Sequence, residues 1–281
     1  MPGFWSSSGS RLEAVVFDVD GTLAETERDG HRVAFNAAFK RHRLPFHWSV
    51  EEYGDLLAVT GGRRRLEVFL ESNGVDDAEE VAAEVHRTKT TMFARWIRLG
   101  IGFKARPGVE ALLAGLRAKG VRLAVASTGR RDWVEPVLCG LFADKLFEVV
   151  VTGDDVHRLK PDPEGYLLAL DRLGVPPERA LAVEDSPPGL AAASAAGLAC
   201  VVVASAYNLG ADFRGASAVV DGYLSGGGEP SGPAASCVAE GVTAEALRCV
   251  HAAAFDDRGG FGGQPLAPAP TSATRSASRL E

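Results

Sequence analysis

The sequence predicts an α/β fold: a parallel sheet with a small all-helical domain inserted after its first strand. Three observations carry this reading. An apolar run too short for a helix, Ala14-Val15-Val16-Phe17, ends in Asp18-Val19-Asp20-Gly21-Thr22, as a buried strand does when its carboxyl end opens into a turn. Beyond Pro107, short apolar runs alternate with segments of helical length, the pattern of parallel strands joined by right-handed crossovers. Between residues 27 and 100 only helical patterns occur.

The elements follow in order. After the first strand, Ala24 to Gly30 is too polar for a core, and His31 to His42 carries a partial helical stripe in Val33, Ala34, Ala37, Ala38 and Phe39. Ser49 with Glu52 reads as a capping box that opens a helix through Leu57, and Thr60-Gly61-Gly62 breaks it. A helix from Arg63 follows, with Leu66, Phe69 and Leu70 on one face. A longer one runs from Asp77 to Leu99, carrying Val81, Val85, Met92 and Trp96. The remaining strands are expected at 121–126, 147–151, 180–183, 199–203 and 218–220, and the helices at 107–119, 131–142, 163–173 and 187–196.

The expected organisation is a flexible start over 1–10, a core domain over 11–26 and 101–224, a helical domain over 27–100, and a low-complexity tail over 225–281. Within that tail, 242–255 has the spacing of a short amphipathic helix, with docking and disorder both open. The connections near 25–30 and 100–106 would act as hinges.

Composition bounds the chemistry. At 281 residues and 46% hydrophobic, the chain can bury a sizeable core, and a formal net charge of −7 argues against a nucleic-acid binder. An anionic substrate would need a local basic cluster. The four cysteines, Cys139, Cys200, Cys237 and Cys249, have no metal-ligand spacing and are not expected to form a disulfide framework, which suggests a reducing compartment. No apolar run is long enough to span a membrane. The Ser-rich start lacks a signal core and is compatible with a transit-peptide remnant.

Four polar groups fall at predicted strand ends, where ligands bind in open parallel sheets. Asp18 and Asp20 suit a hard cation such as Mg²⁺. Ser127, with Thr128 and Gly129, offers a hydroxyl and backbone N–H groups to an anion. Lys160, before Pro161, is a compact point charge. Glu184 and Asp185 could complete a metal site or merely cap the helix that opens at Pro187. Each group alone is commonplace; the four together, in this order, are not.

Asp-Val-Asp-Gly-Thr, then Ser127, then Lys160-Pro161, then Glu184-Asp185-Ser186, resembles the four motifs of the haloacid dehalogenase superfamily. The resemblance implies a Rossmannoid core with a helical cap. It also implies phosphoryl transfer to Asp18 as nucleophile, with Asp20 as general acid and base and Lys160 offsetting phosphoryl charge. Mg²⁺ would be held by Asp18, Asp20 and Asp185, with Glu184 a ligand or a neighbour that orients one.

Ala24-Glu25-Thr26-Glu27, His31-Arg32, Tyr53-Gly54 and Thr60-Gly61-Gly62 up to Arg65 look like CbbY-type proteins, phosphatases of xylulose 1,5-bisphosphate, a Rubisco inhibitor. By that resemblance Glu27, Gly61, Gly62, Arg63, Arg65, Ser127, Thr128, Gly129, Arg130 and Lys160 would contact substrate. Where the family commonly has Gly-Gly-Lys-Glu-Arg, this chain has Gly-Gly-Arg-Arg-Arg, so Arg64 reverses a charge. Alternatives are a β-phosphoglucomutase-like mutase and a broad sugar-phosphate or phosphoglycolate phosphatase. A monomer is the expectation, in a chloroplast stroma or the cytoplasm of an autotroph.

Overall fold

The computed structural model describes residues 11–59, 61–100 and 104–255; the expected flexible start, Thr60 and residues beyond 255 lie outside them. The core is a six-stranded sheet in the order β3-β2-β1-β4-β5-β6, every neighbouring pair parallel. The strands are β1 (Ala14–Phe17), β2 (Arg122–Ala126), β3 (Val149–Val151), β4 (Ala180–Glu184), β5 (Ala199–Val203) and β6 (Ala218–Val220). Their apolar runs are continuous because both faces are covered. Val15, Phe17, Val125 and Val183 point into one core layer, and Ala14, Val16, Ala124 and Ala182 into the other, as the two-residue period of a strand requires.

α5 (Val109–Ala118) and α6 (Arg131–Leu141) pack on the first face, α7 (Glu164–Leu173) and α8 (Pro187–Ala195) on the second. The chain builds β2 and β3 on one side of β1, then β4 to β6 on the other. The reversal of direction between β1 and β4 opens a crevice at their carboxyl ends.

The helical layer has its own core. A π-helical turn (Glu27–His31) runs directly into α1 (Arg32–Arg41), followed by α2 (Val50–Leu56), α3 (Gly62–Ser72) and α4 (Ala78–Arg98). Helical structure thus begins earlier than the polar composition of 24–30 suggests. Phe35, Phe39, Trp48, Tyr53, Leu66, Leu70 and Val85 fill the space between these helices. The capping box is present in both halves: Ser49 Oγ accepts from the Glu52 N–H at 3.1 Å, and the Ser49 N–H donates to Glu52 at 2.9 Å.

Residues 231–255 are built into the core. Ser231 exchanges backbone hydrogen bonds with Val219, and α9 (Ala244–Phe255) lays Leu247 and Val250, both fully buried, on the same face as α5. Each such side chain contributes about 1.5–3 kcal/mol through burial, enough to hold a helix whose flanking sequence reads as unstructured.

Docking α9 also brings Cys249 to Cys237, and the two form a disulfide with Cα atoms 5.6 Å apart, where the expectation was no disulfide framework; the cysteines therefore do not argue for a reducing compartment. A separation of 12 along the chain carries no pairing signal; only the return of the helix onto the preceding turn creates the contact. Cys139 and Cys200 are free thiols. No described helix is long and apolar enough to cross a membrane.

Candidate active site

The crevice at the reversal point is a cleft of about 420 Å³ between the sheet and the helical layer. Its floor is acidic and buried. Asp18, one residue beyond β1, is tied to the neighbouring strand by its N–H to the Val183 carbonyl at 3.0 Å, which places its carboxylate beside Glu184 and Asp185. Gly21 turns the chain with φ +79°, and a Cβ there would meet Asp185 Oδ2 at 2.3 Å, so only glycine lets the two turns approach.

Lys160 precedes Pro161 through a cis peptide bond and reaches across the floor. Its Nζ lies 2.6 Å from Asp18 Oδ1 and 2.5 Å from Glu184 Oε1. Glu184 is wholly buried; Tyr166 donates to its Oε1 at 2.7 Å, and the Asp185 N–H and the Ser186 hydroxyl donate to its Oε2 at 3.1 and 3.3 Å. Protein donors therefore occupy both of its oxygens. A Cβ at Gly189 would sit 2.0 Å from this carboxylate, which is why the first turn of α8 carries glycine at that point.

Burial sets the electrostatics. It raises Asp18 to about 7, against a lowering by Lys160 and with a further rise from Glu184. Asp20 is pushed well above the carboxylate range by burial, then by Glu27 and Asp18, and Asp185 by burial, then by Asp18 and Glu184. Burial disfavours charge on Lys160, but the carboxylates of Asp18 and Glu184 outweigh it and raise its affinity for its proton.

Asp18 and Glu184 thus share one ammonium. Carboxylate oxygens of Asp18, Glu184 and Asp185 all lie within 4.8 Å of one another. An oxygen-only donor set with surplus negative charge fits a hard divalent cation.

The other predicted residues divide. Ser127, buried at the end of β2, accepts from the Gly129 N–H at 3.0 Å, and Thr128 lines the cleft. Gly129 is required sterically, since a Cβ there would lie 2.1 Å from the Trp133 ring. Arg130 is exposed and faces Asp132 at 3.5 Å. Glu27 and Gly61 line the cleft, and Gly62 stands behind it, close to His86 and Phe35.

Of the three consecutive arginines, Arg63 pairs with Glu79 and Arg64 with Glu67, both on the outer surface. Arg65 alone turns inward, donating to the Leu56 carbonyl at 3.0 Å and to the Tyr53 hydroxyl at 3.0 Å; Tyr53 donates in turn to Glu27 at 2.6 Å. Helical geometry splits the run, because neighbours along a helix point about 100° apart.

Three groups outside the predicted site residues stand out. Lys89, 6% exposed, is held between the rings of Phe35 and Phe93 and donates to His31 Nδ1 at 2.7 Å. Arg106 is buried and donates to the carbonyls of Gly21, Val203 and Ala204, fixing the turn that carries Asp20. Asn208 Nδ2 donates to Asp185 Oδ2 at 2.9 Å. Loop residues such as Arg106 and Asn208 give no signal in a single sequence.

A family model for haloacid dehalogenase-like hydrolases matches residues 12–197, the stretch that carries Asp18, Lys160 and Asp185. The chain belongs to the haloacid dehalogenase-like hydrolases. Within this family it is 43% identical to the protein CbbY of Cereibacter sphaeroides over 77% of this chain and 95% of that protein. It is 40% identical to a CBBY-like protein of Arabidopsis thaliana over 77% of this chain and 71% of that one.

Among solved structures, CbbY from Rhodobacter sphaeroides in complex with phosphate matches with TM-score 0.66 and 43% identity, over 75% of this chain and 94% of that one. A variant of the same protein in complex with xylulose-(1,5)bisphosphate matches with TM-score 0.65 and 42% identity over the same shares. The helical layer is set over the carboxylate floor, with the cleft between them.

Proposed function

We propose that this phosphatase of the haloacid dehalogenase-like hydrolases removes one phosphate from xylulose 1,5-bisphosphate, giving xylulose 5-phosphate, with Mg²⁺ as cofactor. The observation that carries the reading is the state of the cap's two inward cations. Arg65 and Lys89 are each 6% exposed, and among the described residues neither forms an ion pair with a carboxylate. Buried cations are ordinarily paired, and Arg65 reaches the cleft lining through Tyr53 to Glu27, so the cap side of the cleft suits a second anionic group while the floor handles the first. The xylulose-(1,5)bisphosphate complex of CbbY supports a sugar carrying a phosphate at each end.

Asp18 attacks phosphorus in line and the sugar oxygen leaves, giving an aspartyl phosphate at Asp18. Asp20, whose hold on its proton burial strengthens, delivers a proton to that oxygen, then takes one from the water that cleaves the acyl phosphate. Lys160 balances charge on Asp18 and on the transferring group. Asp18, the Asp20 carbonyl and Asp185 would hold Mg²⁺, which supplies positive charge at the phosphoryl oxygens. Glu184, with both oxygens engaged, serves to aim Lys160 and support Asp185. Ser127 to Gly129 would hold the phosphoryl group through hydroxyl and N–H donors, and Gly61 at the amino end of α3 would face the distal phosphate. Residues 27–100 act as the selective cap and the sheet as the catalytic core. The Arabidopsis relative supports a chloroplast stroma or the cytoplasm of an autotroph as the setting, and a role in carbon fixation by clearing a Rubisco inhibitor. We read the protein as a monomer.

The test is phosphate release with Mg²⁺ from xylulose 1,5-bisphosphate, ribulose 1,5-bisphosphate, β-glucose 1-phosphate and phosphoglycolate. The highest kcat/KM is expected for the first. Preference for a monophosphate, or return of the phosphoryl group to sugar, would overturn the substrate reading. Asp18→Asn abolishes release from all four, and retained turnover would overturn the mechanism.

A further inference from the structure

The loop after β5 makes contacts in two directions. Tyr207 belongs to the core, yet its ring packs among the hydrophobic residues of the cap. It lies against Gly54 of α2, where a Cβ would stand 3.0 Å from Tyr207 Cδ1, and its ring centroid is 6.0 Å from that of Tyr53. Tyr53 is the residue that holds Glu27 and Arg65.

The next residue, Asn208, faces the floor. Its Nδ2 donates to Asp185 Oδ2 at 2.9 Å and to Ser205 Oγ at 3.0 Å. The turn is closed by the Asn208 N–H donating to the Ser205 carbonyl at 2.9 Å, so Tyr207 and Asn208 move as one piece. Adjacent side chains on a closed turn thus touch the cap and a candidate metal carboxylate.

We propose that the turn Ser205–Asn208 is a positioning element of the reaction: Tyr207 is the core-side seat of the closed cap, and Asn208 the arm that fixes Asp185. When the cap settles, Gly54 and Tyr53 trap the Tyr207 ring, which holds Asn208 against Asp185 and presents that carboxylate to the cation. Coupling of this kind is reciprocal, so a bound cation that orders Asp185 also favours the seated cap. Gly54 serves this contact, since any larger residue crowds the ring. The inference rests on the reading that Asp185 holds Mg²⁺.

The experiment is Mg²⁺ titration by calorimetry on the full chain and on Tyr207→Ala, Tyr207→Phe, Asn208→Ala, Gly54→Val and the double variant Tyr207→Ala/Asn208→Ala. Tyr207→Ala and Gly54→Val each weaken Mg²⁺ binding about fivefold or more, the low end of typical coupling, although neither residue touches a candidate metal carboxylate. Tyr207→Phe keeps the ring and binds as the parent does. In the Asn208→Ala background, Tyr207→Ala adds nothing, because the arm is already gone.

Binding within twofold of the parent in both Tyr207→Ala and Gly54→Val overturns the coupling, as do effects of Tyr207→Ala and Asn208→Ala that simply multiply. Gly54→Val probes from the cap, so the result does not depend on a change within the turn itself. A parent chain that takes up no Mg²⁺ would overturn the metal reading with it. A parent that binds Mg²⁺ while the seat variants match it overturns this inference alone.

Discussion

Lys160 Nζ stands 2.6 Å from Asp18 Oδ1 and 2.5 Å from Glu184 Oε1, so one ammonium joins the turn after β1 to the last residue of β4. Removing it leaves two buried carboxylates facing each other. Lys160→Met is expected to lower kcat by roughly 10²–10³-fold, the scale of losing one preorganised electrostatic donor. Steady-state kinetics on the preferred phosphosugar check this, and a loss below tenfold would mean that Lys160 only supports the fold.

Arg63 and Arg65 are two positions apart and predict opposite outcomes. Arg63 is exposed with Glu79, and such pairs contribute about 0–1 kcal/mol, so Arg63→Ala should leave both KM and Tm nearly unchanged. Arg65→Ala strips a donor from the Tyr53 hydroxyl and the Leu56 carbonyl, a cost of about 1–3 kcal/mol, and should raise KM for a bisphosphate by tenfold or more, roughly the 1.4 kcal/mol step of one decade. Equal effects of the two substitutions would contradict the inward and outward assignment.

Lys89 gives a pH dependence. Burial lowers it from the ordinary lysine value to about 8, partly offset by Glu27. As pH rises through about 8 the folded protein loses this cation, so kcat/KM for a bisphosphate should fall there, and Lys89→Met should flatten that limb. Stability moves the other way. Between about 8 and the unfolded lysine value the unfolded chain binds more protons, so this group makes the fold more stable as pH rises. Denaturation midpoints at pH 7.5 and 9.5, compared with those of Lys89→Met, separate the two effects.

The Cys237–Cys249 bond closes a loop of about a dozen residues, and cross-links of that span contribute about 2–3 kcal/mol on a chain-entropy account. Cys249→Ser should lower Tm by about 5–10 °C in a chain of this size. A dithiol reductant should produce the same drop in the parent and none in the variant. Because Cys249 is exposed at the surface, the reductant has access without unfolding. Identical melting of parent and variant would mean that α9 is held by Leu247 and Val250 alone.

The sequence by itself determined the strands, their parallel pairing and the four floor residues, because each is written locally. A buried strand is a continuous apolar run, its end is a polar turn, and the crossover rule leaves few ways to join strands that alternate with helices. The Ser49 box was legible for the same reason: it needs only two side chains three residues apart.

Tertiary structure alone decided what depends on direction and return. Three adjacent arginines look alike in a sequence, but the turn of α3 sends Arg65 to Tyr53 and its neighbours to solvent. Arg106, Lys89, Tyr207 and Asn208 acquire roles only from partners far along the chain, at Gly21, His31, Gly54 and Asp185. Composition after residue 225 suggested a chain with too little apolar surface to order alone; a covered sheet face supplied the missing surface, and with it the partner for each of two cysteines. Local pattern fixes which elements form, whereas burial and charge are properties of what lies opposite, and the chain brings those partners together only when it closes on itself.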